Sequence, residues 1–279
     1  MTEQFDPVQY KINSKINWNT VAFNYHHNWA DKHQGPFKST REISNLAKIK
    51  RSDKVLDLAC GTGAVSKEVN RYLSSDGLLI GIDLSRTALS IAKKSIKGKN
   101  IEFLEMDVEN IAFNILFDKV LCQYGLMFFP DAGKVLKVIR KILRKEGKFV
   151  VAVHGLPEEV PYFSSIMNPV LSHIPDIRPK GTPTVHRFGD RDNLFNELAK
   201  AGFSNIIIKK FNFSYEAGSF EEYWQDYLHS TANSIRPKIE SQGKDLISII
   251  KAEAMENVSK YTQDGKIIFP WAVLIASAS

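Results

Sequence analysis

The chain has 279 residues, 43% hydrophobic and 24% charged, which is enough apolar mass for a sizeable core and excludes a disordered, collagen-like or coiled-coil protein. Its two cysteines, Cys60 and Cys122, stand too far apart for a zinc motif and are too few for a disulfide framework; no metal is expected, and the compartment is read as reducing and cytoplasmic. The net charge of +6 invites a nucleic-acid reading, whereas no apolar stretch reaches the roughly 18 residues that cross a bilayer, so no membrane partner is expected.

Residues 54–60 form an apolar run that breaks at Gly61-Thr62-Gly63 and resumes with helical periodicity from Ala64 to Leu73, the pattern of strand, glycine turn and helix. A second strand at 78–82 ends at Asp83, and Ser85 reads as the N-cap of a helix through Lys97. The third strand, 101–106, ends at Asp107. The fourth, 117–123, leads into an amphipathic helix carrying Lys134, Lys137, Arg140, Lys141, Arg144, Lys145 and Lys148, with Gly147 as its C-cap and a fifth strand at 148–153. The basic residues read as one solvated helix face, so a nucleic-acid partner is not expected. Residues 155–188 are proline-rich and interrupt the pattern. A helix at 191–201, a stop at Gly202 and strands at 205–213 and 267–276 complete the chain. Residues 219–262, between those strands, read as helical, with Phe220, Tyr223, Trp224, Tyr227 and Leu228 at core spacing.

Alternating strands and helices with apolar strands predict a parallel sheet covered on both faces, whose ligand lies beyond the carboxyl ends of the strands. Ala59 to Gly63, Asp83 with Leu84, Asp107 with Val108, and Gln123 with Tyr124 converge there. Gly61 and Gly63 admit a ligand close to the backbone, and Asp83 is placed to accept both hydroxyls of a ribose. Ser66 replaces the third glycine of a dinucleotide fingerprint, and Asp57 inside the motif suits an ammonium group better than a pyrophosphate. Asp107 suits the exocyclic amine of an adenine. A dinucleotide-dependent oxidoreductase is the less favoured enzyme alternative.

Val55-Leu56-Asp57-Leu58-Ala59-Cys60-Gly61-Thr62-Gly63, Gly81-Ile82-Asp83-Leu84-Ser85 and Phe117-Asp118-Lys119-Val120 resemble motifs of class I S-adenosylmethionine-dependent methyltransferases, with the small-molecule, UbiE-like branch most similar. The resemblance implies an α/β, Rossmann-like, seven-stranded mostly parallel sheet ordered 3-2-1-4-5-7-6, helices on both faces, the last strand antiparallel, and a helical cap insertion. The domain reading is 1–38 as an N-terminal helical segment covering the cofactor site, 39–154 as the cofactor-binding core, 155–189 as the cap, and 190–279 as the remainder of the core with a second helical insertion at 219–262. By the same resemblance S-adenosyl-L-methionine is the cofactor: Ala59 and Gly61 line its methionine part, Asp83 holds the ribose, Asp107 and Val108 flank adenine, and Gln123 covers the site. Many members of the family have glycine where this chain has Ala59. The N-terminal helix of this branch folds over the cofactor, so Trp18, Tyr25, His26 and Trp29 are candidates for that cover, Tyr25 and Trp29 foremost because they stand one turn apart.

His154, past the fifth strand, and His186, in the insertion, are the candidate general bases. Gln123-Tyr124-Gly125-Leu126 replaces the Asn-Pro-Pro-Tyr-like tetrad of amino-methylating nucleic-acid enzymes, and Cys122 lacks the preceding proline of cytosine C5 enzymes. The insertions carry Tyr162, Phe163, Met167, Phe188, Tyr223 and Trp224, the composition of a cap over a small, partly apolar acceptor. A catalytically silent cofactor-binding subunit and an RNA methyltransferase remain open as alternatives.

Overall fold

The computed structural model describes residues 4–32 and 34–279; residues 1–3 and 33 of the expected N-terminal segment lie outside the described residues. The strands are β1 (Lys54–Leu58), β2 (Leu78–Asp83), β3 (Ile101–Glu105), β4 (Phe117–Gln123), β5 (Leu143–His154), β6 (Ile207–Gly218), β7 (Thr262–Gln263) and β8 (Lys266–Ala278). The helices are α1 (Pro7–Tyr25), α2 (Thr40–Ala47), α3 (Ala64–Asn70), α4 (Arg86–Ser95), α5 (Ala132–Ile142), α6 (Pro161–His173), α7 (Arg191–Lys200), α8 (Phe220–Asp226), α9 (Arg236–Glu240) and α10 (Lys244–Val258).

The sheet runs β3-β2-β1-β4-β5-β8-β6. The first five strands pair in parallel, and β8 is antiparallel to both β5 and β6. The order expected from the sequence is therefore present, the long last strand becoming the eighth only because the two-residue β7 forms a hairpin with its start. Val55, Leu56, Leu58, Val120, Leu121 and Val150 are fully buried, as strands covered on both faces require. The chain order reverses between β1 and β4, so the loops after these strands diverge and leave a crevice.

One boundary differs from the sequence reading. The amphipathic pattern runs on past residue 142, yet the helix ends there: Leu143 is extended, at φ −84° and ψ 133°, and pairs with Phe117. Gly147 lies within β5 and is no C-cap. A Cβ there would stand 2.7 Å from Leu143 Cγ, close to where the register between β4 and β5 shifts. Arg144 and Lys145 thus leave the helix; Arg144 pairs with Asp118 at 3.4 Å and Lys148 reaches the Leu46 carbonyl at 3.4 Å. The basic run is divided between two elements and offers no single helical face.

The insertions pack on each other. Tyr223 donates from its hydroxyl to the Tyr162 carbonyl at 2.6 Å, Tyr227 to that of Phe163 at 3.3 Å, and Asn257 reaches Ser165 at 3.1 Å. α1, N-capped by Asp6, accepts from Asn233 of the second insertion at Asn17 Oδ1, 2.9 Å, and packs Ala22 onto Ala88 and Ile91 of α4. Asn19 Oδ1 accepts from Ser85 Oγ and from the Thr87 amide, both at 3.0 Å, and so fastens α1 to the start of α4.

Gly63 begins α3 at φ +90°, and a Cβ there would lie 2.5 Å from Ile96 Cδ1 and 3.2 Å from Ala92 Cβ. It is a close-packing glycine between α3 and α4. Gly63→Ala is expected to destabilise the fold by about 1 to 3 kcal/mol, read as a lower melting temperature; an unchanged melting temperature would show that α4 yields without strain.

Candidate functional site

Beyond the carboxyl ends of β1 and β4 lies a small cleft, partly open to solvent, whose walls include Tyr25, Phe37, Asp57, Ala59, Gly61, Thr62 and Gln123. The loop after β1 takes three left-handed residues, Ala59 at φ 49°, Gly61 at 55° and Gly63 at 90°. Ala59 bears a strain of about 1 kcal/mol that glycine would not, which accounts for the glycine common at this place in the family. Tyr124, after β4, is also left-handed at φ 59°. The two strained loops pack on one another: a Cβ on Gly125 would meet Ala59 Cβ at 2.8 Å. Around the Cβ position of Gly61, by contrast, there is no atom within 4 Å, so that glycine faces open space.

Two carboxylates define the electrostatics. Asp83 accepts from the Gly61 amide at 2.9 Å and the Ser85 amide at 2.8 Å, tying the loops after β1 and β2 together. Burial raises its pKa against those hydrogen bonds. Asp57, 1% exposed, accepts from Ser66 Oγ at 2.6 Å, and among the described residues no cation pairs with it. Burial pushes its carboxyl up to about 7, and the neighbouring charge of Asp83 adds to the rise.

The remaining sequence candidates divide. Gln123 lines the cleft and is fixed by Ser39 and Thr40, at 2.9 and 3.0 Å from its Nε2. Asp107 lies at the end of β3 with Val108 buried beside it, and Lys11 of α1 bonds its Oδ2 at 2.8 Å. Burial opposes its charge, but Lys11, the Glu109 amide and Asn110 outweigh that and hold its pKa below the ordinary value. Leu84 is half-buried between Asp83 and Ser85. Tyr25 lines the cleft with its ring edge-on to Trp18 and Phe37, at 5.4 and 5.7 Å.

Trp29 does not stand beside it. Past Tyr25 a π-helical turn, His26–Ala30, carries the indole inward, where it stacks on Tyr215 at 4.3 Å and meets Tyr162 and Trp271 edge-on. Gly63 is likewise absent from the cleft wall, being occupied with α4.

Neither histidine lines the cleft. His154 accepts at Nδ1 from Trp271 Nε1 at 3.1 Å and stacks on Tyr124 at 4.3 Å, and burial holds its pKa well below the ordinary value. His186 places Nδ1 2.7 Å from the Gly155 carbonyl, and its buried Nε2 has no hydrogen-bond partner. The cap aromatics Tyr162, Tyr223 and Trp224 are core, exposed by 3% or less. Sequence reasoning missed Phe37, Ser39, Thr40 and Lys11. Thr62, 3.0 Å from His26 Nδ1, was included only as part of the turn Ala59 to Gly63.

Residues 49–183 match the family model described as a methyltransferase domain. The chain is 34% identical over 206 residues, 68% of its length and 77% of the relative's, to the demethylmenaquinone methyltransferase of Lactococcus lactis subsp. lactis strain IL1403. It is 30% identical over 183 residues, 59% of its length and 73% of the relative's, to that of Lactobacillus johnsonii. Among solved structures, the YcgJ protein of Bacillus subtilis superposes with a TM-score of 0.57 at 19% identity, covering 87% of this chain and 98% of that one. Haemonchus contortus phosphoethanolamine N-methyltransferase 2, in complex with phosphomonomethylethanolamine and S-adenosylhomocysteine, superposes with a TM-score of 0.59 at 14% identity, covering 98% of this chain and 60% of that one. At such identities the likeness is one of fold. The chain belongs to the class I S-adenosylmethionine-dependent methyltransferases. It is an enzyme that moves a methyl group from S-adenosylmethionine to a small organic acceptor.

The pKa of Asp57 carries a stability prediction. A carboxyl raised in the folded state favours the protonated form there, so its contribution is fully present below pH 4, declines as pH rises, and is lost above about 7. Asp57→Asn is therefore expected to stabilise the ligand-free protein at pH 8 by roughly 3 kcal/mol and to leave it little changed near pH 4. Chemical denaturation of both proteins at the two pH values measures this, and equal stabilities at pH 8 would refute it.

Proposed function

We propose that the cleft holds the cofactor with its amino group at Asp57, its ribose hydroxyls at Asp83 and its adenine beside Asp107 and Val108, and that the acceptor is a lipophilic aromatic diol. The observation that carries the cofactor placement is Asp57: a buried carboxylate without a cationic partner among the described residues, on the wall of a cleft whose glycine floor stands open. Such a group suits an ammonium and repels a pyrophosphate. The acceptor reading draws on the name of the relatives, demethylmenaquinone methyltransferase. It also draws on a run of aromatic rings beside the cleft: Phe128 lies 6.3 Å from Trp18, Trp18 abuts Tyr25, Tyr25 abuts Phe37, and Phe37 lies 6.2 Å from Tyr124. A planar ring packs well there.

When bound, the cofactor supplies a methyl group on a positively charged sulfur; the part left to the chain is to hold, align and exclude water. Asp83 keeps the loops after β1 and β2 in one relation, and the open face of Gly61 lets the ligand lie against the backbone. Tyr25 and the His26–Thr62 contact form the roof. Gln123, anchored by Ser39 and Thr40, forms the wall beyond β4. In this reading His154 and His186 support Tyr124 and the loop at Gly155 and take no part in proton transfer.

Titration calorimetry with S-adenosylhomocysteine tests the cofactor placement. Affinity is expected to strengthen as pH rises through about 7, because the ligand's ammonium needs ionised Asp57. Asp57→Asn abolishes that dependence and, like Gly61→Ala, weakens binding about tenfold or more. A wild-type protein that binds NADH but not S-adenosylhomocysteine would overturn the placement.

For the acceptor, cell extract is incubated with labelled S-adenosylmethionine and separated into lipid, polar-metabolite and nucleic-acid fractions. Label is expected in the lipid fraction and on a short-tailed demethylated naphthoquinol. Label confined to either other fraction would replace the lipophilic acceptor.

A further inference from the structure

α1 is apolar on two faces. One face packs Val21 and Ala22 inward, both at most 2% exposed. The other leaves Val8, Ile12, Ile16 and Phe23 between 49% and 63% exposed. The first three are spaced i, i+4, i+8, and Phe23 falls on the same stripe two turns on. A surface helix in water gives such positions to polar residues, so this stripe has a neighbour in the working protein.

Charge says which neighbour. α1 holds Lys11 and Lys15 and no acid; the segment from Arg86 to Lys97 holds Arg86, Lys93, Lys94 and Lys97 and no acid. These six basic residues on two adjacent elements equal the net charge of the whole chain. Lys11, Lys15 and Arg86 are turned onto Asp107, Glu109 and Glu105. That neutralises these three acids and leaves Lys93, Lys94 and Lys97 exposed against one exposed acid of the edge strand, Glu102. Lys93, Lys94 and Lys97 lie with Arg86 around Glu105, which also holds Lys15 of α1, so the basic cluster meets α1 there.

We propose that this surface seats the protein on an anionic lipid bilayer, with the α1 stripe at the boundary of headgroups and acyl chains and Lys93, Lys94 and Lys97 over the headgroup phosphates. A helix of this kind lies on a membrane and does not cross it; among the described residues no helix is long and apolar enough to span one. A second copy of the chain is the poorer occupant, because a two-fold interface built on the stripe would bring two sets of three unpaired lysines together. Because Tyr25 at the end of α1 also roofs the cleft, docking sets the cleft beside the lipid. A lipophilic acceptor would then pass into the site without crossing water, a consequence that rests on the acceptor proposed above, whereas the docking does not.

The test uses the full chain and flotation with vesicles of phosphatidylcholine containing phosphatidylglycerol, or of phosphatidylcholine alone, with no acceptor present. The wild type is expected to partition onto the anionic vesicles at least tenfold more than onto the neutral ones, and less as salt is raised. The double variants Ile12→Asn/Ile16→Asn and Lys93→Glu/Lys94→Glu should each reduce that partition about tenfold, with affinity for S-adenosylhomocysteine unchanged as evidence of an intact fold. Absence of partition, or partition equal in wild type and variants, overturns the proposal. So does a concentration-dependent dimer in sedimentation equilibrium that Ile12→Asn/Ile16→Asn dissolves, which assigns the stripe to a second copy. Failure to methylate a short-tailed naphthoquinol in buffer counts against the acceptor alone, so the two readings fail separately.

Discussion

Two carboxylates with no cationic partner among the described residues, Asp57 buried and Asp83 half-buried, lie toward the carboxyl ends of adjacent strands, and the arrangement of the site follows from how differently they are accommodated. Asp83 is built into the backbone: its two oxygens take the amides of Gly61 and Ser85, so its charge is spread into hydrogen bonds while it fixes the loops that carry the motif. Asp57 is held by Ser66 alone, through its hydroxyl and its amide, and burial outweighs these bonds and, with the like charge of Asp83 adding to it, raises its pKa to about 7 where that of an ordinary aspartate lies near 4. Folding leaves this charge uncompensated. In the proposed placement a bound ammonium supplies what the polypeptide withholds.

Asp107 presents the opposite situation. Lys11 and Asn110 bond its Oδ2 and the Glu109 amide bonds its Oδ1, at 2.8, 2.9 and 3.0 Å, so three of about four lone-pair sites are engaged and one on Oδ1 is left. Lys11 therefore does not exclude an adenine amine. It couples the N-terminal helix to the end of β3 just as Tyr25 couples it to the cleft. Between these points Asn19 ties the helix to the start of α4, so α1 bridges the carboxyl edge of the sheet mainly through side chains and buries little of itself.

The strands and the acids at their ends were legible because each depends on local pattern: apolar runs, glycine turns, a capping serine; the strand order was available only through the family resemblance. The boundary between α5 and β5 was not, because Val135 to Leu143 continues a helical apolar spacing while the pairing of Leu143 with Phe117 is a tertiary fact. Trp29 and His154 were misplaced for a related reason. Sequence shows that an aromatic or an imidazole is near the right strand end, but not that Tyr215, Trp271 and Tyr124 stand ready to receive it. Lys11, Phe37 and Thr40 reach the site from elements far away in sequence, and no spacing rule connects them to the motif. The cap aromatics read as ligand lining from composition but fill one another's packing instead.

The strained backbone lies at the two loops where the chain can least relax. Ala59 and Tyr124 hold left-handed conformations at the ends of β1 and β4, fully buried strands whose pairing fixes where each loop begins, and Gly125 lets the loops touch. The floor of the cleft is thus rigid, set by the sheet before any ligand arrives. The roof is a helix held by hydrogen bonds and ion pairs at its rim, with apolar residues on its outer face as well as its inner one. A cleft with a fixed floor and a roof held by few groups is expected to admit its ligands by movement of the roof, because displacing α1 unseats the small Ala22–Ala88–Ile91 cluster and a few hydrogen bonds while displacing the floor would unpair the sheet. What stabilises α1 from outside therefore also controls access to the site.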